Sequence, residues 1–261
     1  MGAKMFTKDE ITVCMTFPAK HWEAYGKHSV PSFDKYWPEN INLYVYVEGD
    51  ENIPIETSSR VHIHDFDQYI TGWRDFAERN KDKDIFDHTV SGDISKRQAV
   101  KFSKKVYMQM FHLNNPYSRY LIYLDADLST LQNVPQELLD NLTKGDHYVA
   151  FPDRRIRNKF TETGMLVWDC AHEYHKEWCS LYDSVYKEDK IFTFPETHDC
   201  YAFDYATFKL EKEGKIKTAD LGYGVNSRHP LVAGPLGKYF DHMKGGRKFT
   251  GFSKERVAAH G

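Results

Sequence analysis

The sequence predicts an α/β fold built on a parallel central sheet flanked by helices. Three observations carry this. Tyr120–Asp127 reads Tyr-Leu-Ile-Tyr-Leu-Asp-Ala-Asp, an apolar run ending in two carboxylates, as expected of a strand buried on both faces. Strand-like and helix-like segments alternate along the chain, the pattern of parallel strands joined by crossovers. Ala99, Phe102, Val106, Met110 and Leu113 recur at three- and four-residue spacing, which marks an amphipathic helix.

Each element follows from local signals. Ile11–Phe17 is the first strand, and Pro18 breaks it. Ser32–Tyr36 is a short helix before Pro38. Ile41–Val47 is a strand closed by the turn at Glu48-Gly49-Asp50. Arg60–His64 is a third strand and Gly72–Asn80 a helix. Lys96–Leu113 is the periodic helix, with Ser95 placed to cap it and Pro116 beyond its end. After Asp127 come a helix at Pro135–Leu142, strands at His147–Phe151 and Gly164–Trp168, and a helix at Ala171–Tyr186. His172 and His175 on that helix are read as surface residues. A further helix follows Pro195–Asp199, with Thr197 or Asp199 near its cap, and Lys217–Leu221 is a last strand. Gly222–Gly251 has little periodicity.

Composition narrows the class. The chain has 261 residues, and its 41% hydrophobic content suits one large domain with a sizeable core. Lys plus Arg is 35 against 38 for Asp plus Glu, a net charge of −3. That balance excludes a strongly basic nucleic-acid-binding protein but not a local basic patch. The four cysteines form no C-x-x-C pair, which fits buried thiols in a reducing cytoplasm. Met1–Glu10 has no apolar signal core and no run is long enough to span a bilayer. The expected location is the cytoplasm, or the host cytoplasm for a phage-encoded protein.

The chemistry starts at Asp125 and Asp127. Ligands of open α/β sheets sit beyond the carboxyl ends of the strands, where both carboxylates would emerge. Ala126 between them is small enough for a ligand to approach. Hard oxygen donors there suit a divalent cation, and the cation suits a phosphate. Two other D-x-D triplets exist, Asp65/Asp67 and Asp82/Asp84. They follow a half-exposed strand and lie in a charged loop, so they read as surface features. Asp153-Arg154-Arg155-Ile156-Arg157-Asn158-Lys159 is the most basic stretch. It reads as a solvated loop or as an anion contact near a strand end, with Arg154, Arg155 and Arg157 the candidates for touching an acceptor.

His242, Gly245 and Lys248 form a His-x-x-Gly-x-x-Lys pattern. With the D-x-D, this resembles the signature of retaining glycosyltransferases of the glycogenin type. The resemblance implies the single-domain, Rossmann-like GT-A fold over residues 1–261, its central sheet mixed and mostly parallel and flanked by helices, with a nucleotide-binding half (1–127) and an acceptor half ending in a metal- and diphosphate-binding tail (128–261). It implies that His242 completes the metal site begun by Asp125 and Asp127, and that Lys248 contacts the donor diphosphate. Thr163-Gly164-Met165-Leu166 looks like that family's Asn-Ser-Gly strand, with Glu162-Thr163 in place of Asn-Ser. His198-Asp199 stands where the family carries an acidic segment facing the sugar. Ala99–Tyr107 and Asp241–Lys248 also look like pieces of bacteriophage glycosyltransferases, some of which act on hydroxymethylated DNA bases.

The expected reaction moves a sugar from a nucleotide-diphosphate donor, a UDP-sugar first, to an acceptor hydroxyl. The acceptor is a glycan, a protein hydroxyl or a hydroxymethylpyrimidine in DNA. Negative charge grows on the leaving diphosphate, and Mn²⁺ or Mg²⁺ neutralises it. An imidazole among oxygen ligands leans toward Mn²⁺. Lys248, Arg247 and Lys101 are expected to clamp the phosphates, with Gly245 and Gly246 permitting close approach. Thr16 and Phe17 are candidates for holding the base. Asp199 is the candidate catalytic carboxylate, with capping of the next helix as its alternative. Two other readings stand beside this one: a haloacid-dehalogenase-like phosphatase, and a non-catalytic nucleic-acid or glycan-binding module.

Overall fold

A computed structural model describes residues 10–49, 53–83, 98–155, 159–223, 229–243 and 256. β1 (Ile11–Pro18) is buried at every position but its last. Alternate side chains enter opposite layers, as pleating requires. Val13, Met15 and Phe17 join one apolar cluster, and Cys14 joins the other. α1 (Lys27–Tyr36) begins earlier than the sequence suggests, because the turn Trp22–Gly26 before it is already helical. β2 (Asn42–Glu48) and β3 (Val61–Asp65) follow. The buried Arg60 guanidinium pins this edge by donating to the Pro38 and Asp34 carbonyls, at 2.8 and 2.5 Å.

Asp65 caps α2 (Phe66–Tyr69) by accepting from the Asp67 N–H at 2.8 Å. Asp67 takes the Trp73 indole N–H from α3 (Gly72–Arg79). This first D-x-D therefore serves local structure. Residues 84–97, which contain Ser95, lie outside the described residues. α4 (Ala99–Asn114) is entered through Gln98 at φ +69°. It leads to β4 (Tyr120–Leu124) and then β5 (Leu128–Thr130). Next come α5 (Gln136–Thr143), β6 (Val149–Phe151), β7 (Met165–Asp169) and α6 (His175–Lys187). α7 (Asp199–Lys212), β8 (Thr218–Asp220), α8 (Pro230–Ala233) and β9 (Phe240–His242) complete the order.

The seven-stranded sheet runs β3-β2-β1-β4-β7-β6-β8. β1, β2, β3 and β4 are parallel, and β8 is parallel to β6. β7 is antiparallel to both β4 and β6. β7 thus delivers its N-terminal end, not its C-terminal end, to the carboxyl end of β4. The main-chain bond from Asp125 N–H to the Gly164 carbonyl, 2.8 Å, fixes that meeting.

Among the described residues, the glycine-rich stretch after 222 holds α8 and β9, elements of four and three residues too short to show a period. One expectation is corrected here. His175 is buried, not superficial. Its Nδ1 is 3.1 Å from the Tyr148 hydroxyl and its Nε2 is 2.8 Å from the Leu113 carbonyl, partners that sequence spacing does not reveal. The buried or half-buried cysteines all carry free thiols. Among the described residues no helix is long and apolar enough to cross a membrane.

Asp204 on α7 carries a stability prediction. Its Oδ2 accepts the Thr161 N–H at 3.3 Å, and its Oδ1 is buried with no hydrogen-bond partner. Burial pushes its carboxyl up from 3.8 to about 7. Between those values the folded state keeps a proton that the unfolded chain has released, so this group makes stability fall as pH rises. Asp204→Asn should therefore raise stability by up to about 4 kcal/mol at pH 8 and by little at pH 4, read from urea midpoints.

Candidate functional site

β4 ends at Leu124, so Asp125, Ala126 and Asp127 emerge at the carboxyl edge of the sheet. β5 begins at once with Leu128, and β9 pairs with it antiparallel. The register sets Leu128 against His242, and the Met243 N–H donates to the Asp127 carbonyl at 2.8 Å. A short two-stranded ladder thus brings a residue from far along the chain onto the acidic pair. His242 Nε2 lies 2.9 Å from Asp127 Oδ1 and 3.6 Å from Asp125 Oδ2. The ring is fully buried. One atom each from Asp125, Asp127 and His242 falls within 4.8 Å of the others, the spacing of a candidate cation site. Two carboxylates and an imidazole suit a divalent first-row ion.

The other Asp125 oxygen is committed to protein. Oδ1 accepts from Lys105 Nζ at 2.9 Å and from the Tyr123 hydroxyl at 2.7 Å. Oδ2 is left turned toward His242. Lys105 also lies 2.9 Å from Asp199 Oδ2 and donates to the Thr163 carbonyl at 2.9 Å. Burial acts to lower the Lys105 pKa, but Asp125 and Asp199 outweigh it and hold the ammonium above its ordinary value. Burial, reinforced by Asp125, raises the Tyr123 phenol, which stays neutral. The Thr163 hydroxyl donates to Asp199 Oδ2 at 2.6 Å.

These side chains line one cleft of about 400 Å³ that contains Thr16, Lys101, Lys105, Asp125, Asp127 and Asp199. A cavity of about 600 Å³ adjoins it at the ends of β1 and β2 and shares Pro18, His21, Glu48 and Lys101 with it. Trp73 forms part of its wall. Lys104 sits 4.4 Å above the Trp73 ring and 3.1 Å from Glu48. Burial raises the Glu48 carboxyl, with Lys104 and Thr16 drawing it part of the way back.

The sequence-derived candidates divide as follows. Asp125, Asp127 and His242 converge. Asp199 lines the cleft from the first turn of α7, with His198 as the residue before it. Thr16 and Ala126 line the same cleft. Phe17 points the other way, into the core, and packs 6.3 Å from Trp22. Strand alternation sends neighbours to opposite faces, so its side chain is withdrawn as a base contact. Lys101 is exposed at the rim and bonds Gln98 at 3.1 Å, while the lysine that reaches the carboxylates is Lys105. Lys101 and Lys105 are one turn apart on one helix face. Choosing between them needs the depth at which the helix sits.

Arg154 is engaged with buried Glu162 at 3.2 Å, and Arg155 with Asp153 and Glu211 at 2.5 Å each. Arg157, Gly245, Gly246, Arg247 and Lys248 lie outside the described residues. Gly164 has a steric reason to be glycine. A Cβ there would stand 2.6 Å from His242 Cε1 and 3.1 Å from Leu231 Cδ1. Gly164→Ala should push the imidazole off its position, at about 1–3 kcal/mol of stability. Urea midpoints are the measurement that checks this.

The chain matches no family model and no curated protein. Solved structures do match. One is the galactosyltransferase LgtC in complex with donor and acceptor sugar analogs, with TM-score 0.50 and 13% identity over 87% of this chain and 81% of that one. Another is apo mouse xyloside xylosyltransferase 1, at 0.49 and 12% over 82% and 86%. Apo GlyE of Streptococcus pneumoniae TIGR4 gives 0.46 and 13% over 82% of this chain and 46% of its own. At such identities the likeness speaks to architecture alone. The mixed sheet with its acidic pair at the end of a central strand is the GT-A fold of glycosyltransferases.

Proposed function

We propose that the protein is a metal-dependent glycosyltransferase that moves a sugar from a nucleotide-diphosphate donor to an acceptor hydroxyl. The observation that carries this is the meeting of Asp125, Asp127 and His242 at a cleft that also holds Lys105 and Asp199. A divalent cation held there, Mn²⁺ by preference, supplies Lewis-acid neutralisation of the leaving diphosphate. Asp127 and His242 are its expected direct ligands, with Asp125 Oδ2 the third. Asp199, held by Thr163 and Lys105, faces the cleft as the carboxylate that positions the acceptor or steadies positive charge at the sugar carbon. Lys105 holds that carboxylate in place. The adjoining cavity beside Thr16 and Glu48 is the assigned place for the nucleoside, and UDP is the first donor to try.

The His-x-x-Gly-x-x-Lys likeness favours retention of anomeric configuration, with Arg247 and Lys248 on the diphosphate. A glycan hydroxyl is the preferred acceptor. Arg154 and Arg155 are already paired with carboxylates, so a DNA acceptor would have to displace those contacts. The phosphatase reading needs Asp125 as a free nucleophile, whereas Lys105 and Tyr123 both hold its Oδ1.

The test is hydrolysis of a panel of nucleotide sugars with Mn²⁺, followed by transfer of labelled sugar to glycans and to hydroxymethylated DNA. Nucleoside diphosphate released only with metal, and a product of retained configuration by proton NMR, are the expected results. Absence of metal-dependent binding or turnover with every donor would remove the proposal.

A further inference from the structure

Beside the acidic pair lies a second cluster that the reaction above leaves unused. Glu162 is 2% exposed, although it is a carboxylate. Its Oε2 accepts from Arg154 at 3.2 Å and lies 3.0 Å from His229 Nε2. His229, the residue before α8, packs edge-on against His242, with ring centroids 4.8 Å apart and planes at 87°. One ligand-type atom each from Glu162, His229 and His242 falls within 4.8 Å of the others. His242 turns Nε2 toward Asp127, while its Nδ1 is buried with no hydrogen-bond partner.

These facts bear on how His242 would serve as a ligand. A cation takes the lone pair of Nε2, so the neutral ring must carry its proton on Nδ1. Ligating imidazoles almost always give that second N–H to a carboxylate, a carbonyl or water, which fixes tautomer and ring angle. Here a buried carboxylate and a second imidazole stand on the spot. We propose that Glu162 and His229 are positioning residues for His242. Glu162, directly or through His229, accepts a hydrogen bond from the Nδ1–H, and the His229 ring holds the His242 plane against Gly164. The inference rests on Asp125, Asp127 and His242 being a cation site. A second cation between Glu162 and His229 is the weaker alternative, because the Arg154 guanidinium already supplies positive charge to the same Glu162 oxygen.

The experiment is titration of the full chain with Mn²⁺ alone, followed by tryptophan fluorescence and by the electron paramagnetic resonance of free Mn²⁺. The proteins compared are wild type, Glu162→Leu, Glu162→Gln, His229→Phe and Asp127→Ala. Glu162→Leu should weaken Mn²⁺ binding by about 10–100-fold. Glu162→Gln, which keeps an acceptor oxygen, should recover part of the loss, and His229→Phe, which keeps the ring, should lose less than Glu162→Leu. With Mg²⁺ as a diamagnetic substitute, histidine nitrogen NMR should place the His242 proton on Nδ1 in wild type, and Glu162→Leu should abolish that signature. If Glu162→Leu does not fold, the Gln and Phe variants carry the comparison.

Wild-type affinity in the Glu162 variants, or two bound ions of which one vanishes in His229→Phe, would overturn the inference. Absence of Asp127-sensitive Mn²⁺ binding in wild type would instead remove the cation site on which it rests.

Discussion

Asp127→Ala and His242→Ala should each lower metal-dependent turnover of a nucleotide sugar by about 100-fold or more, the scale of losing one strong electrostatic contact to a developing charge. Both side chains are buried and meet at 2.9 Å. Either alanine removes one of the three atoms grouped at the proposed cation site. Nucleoside diphosphate release at saturating Mn²⁺ is the measurement. A parallel urea titration separates lost chemistry from lost folding. A fully folded His242→Ala protein that kept most of its turnover would show that the imidazole does not belong to the cation site. Asp125→Ala should have a mixed effect, because Asp125 also answers Lys105 and Tyr123.

Lys105→Met should be the most destabilising change in the cleft. The ammonium stands 2.9 Å from both Asp125 and Asp199, each largely buried. Removing one partner of a buried ion pair costs about 3–5 kcal/mol, because the remaining charges are left uncompensated. The sign of the pH dependence follows from the raised Lys105 pKa. Its contribution is fully present below the unfolded lysine value and is lost only as pH climbs through the still higher folded one, so it is constant from pH 6 to 9. The gap between wild type and Lys105→Met should therefore hold steady across that range, read from urea midpoints. The double variant Lys105→Met/Asp199→Asn should recover part of the loss. No recovery would mean that packing of the lysine stem, not its charge, is what matters.

Much of this arrangement was legible in the sequence, for identifiable reasons. Ile11–Phe17 and Tyr120–Asp127 are apolar without interruption because both faces of a central strand are covered. The two carboxylates at the end of the second announced a site. β7 gave no sign that it runs antiparallel to β4, since a buried strand reads the same in either direction. His242 came from a family likeness and not from periodicity, because β9 has only three residues. Lys105 stood out only as one of three clustered helix lysines with Lys101 and Lys104, and Glu162 not at all, because a charged residue on a helix or loop is ordinarily solvated. Their burial depends on how deep α4 sits and on where Arg154 and His229 fall. Phe17 was misassigned by a single step of strand alternation.

The pairing of β5 with β9 carries a consequence for synthesis. Asp127 and His242 are separated by 115 residues. A growing chain emerges from its N-terminus at about 5–20 residues per second. The nascent protein can therefore complete β1 through β4 many seconds before the imidazole exists. During that interval Asp125 can meet Lys105 and Tyr123 but not the imidazole. Competence for ion binding would then arrive as an abrupt late event, and fragments released before residue 242 would be well-folded in part yet unable to hold the ion.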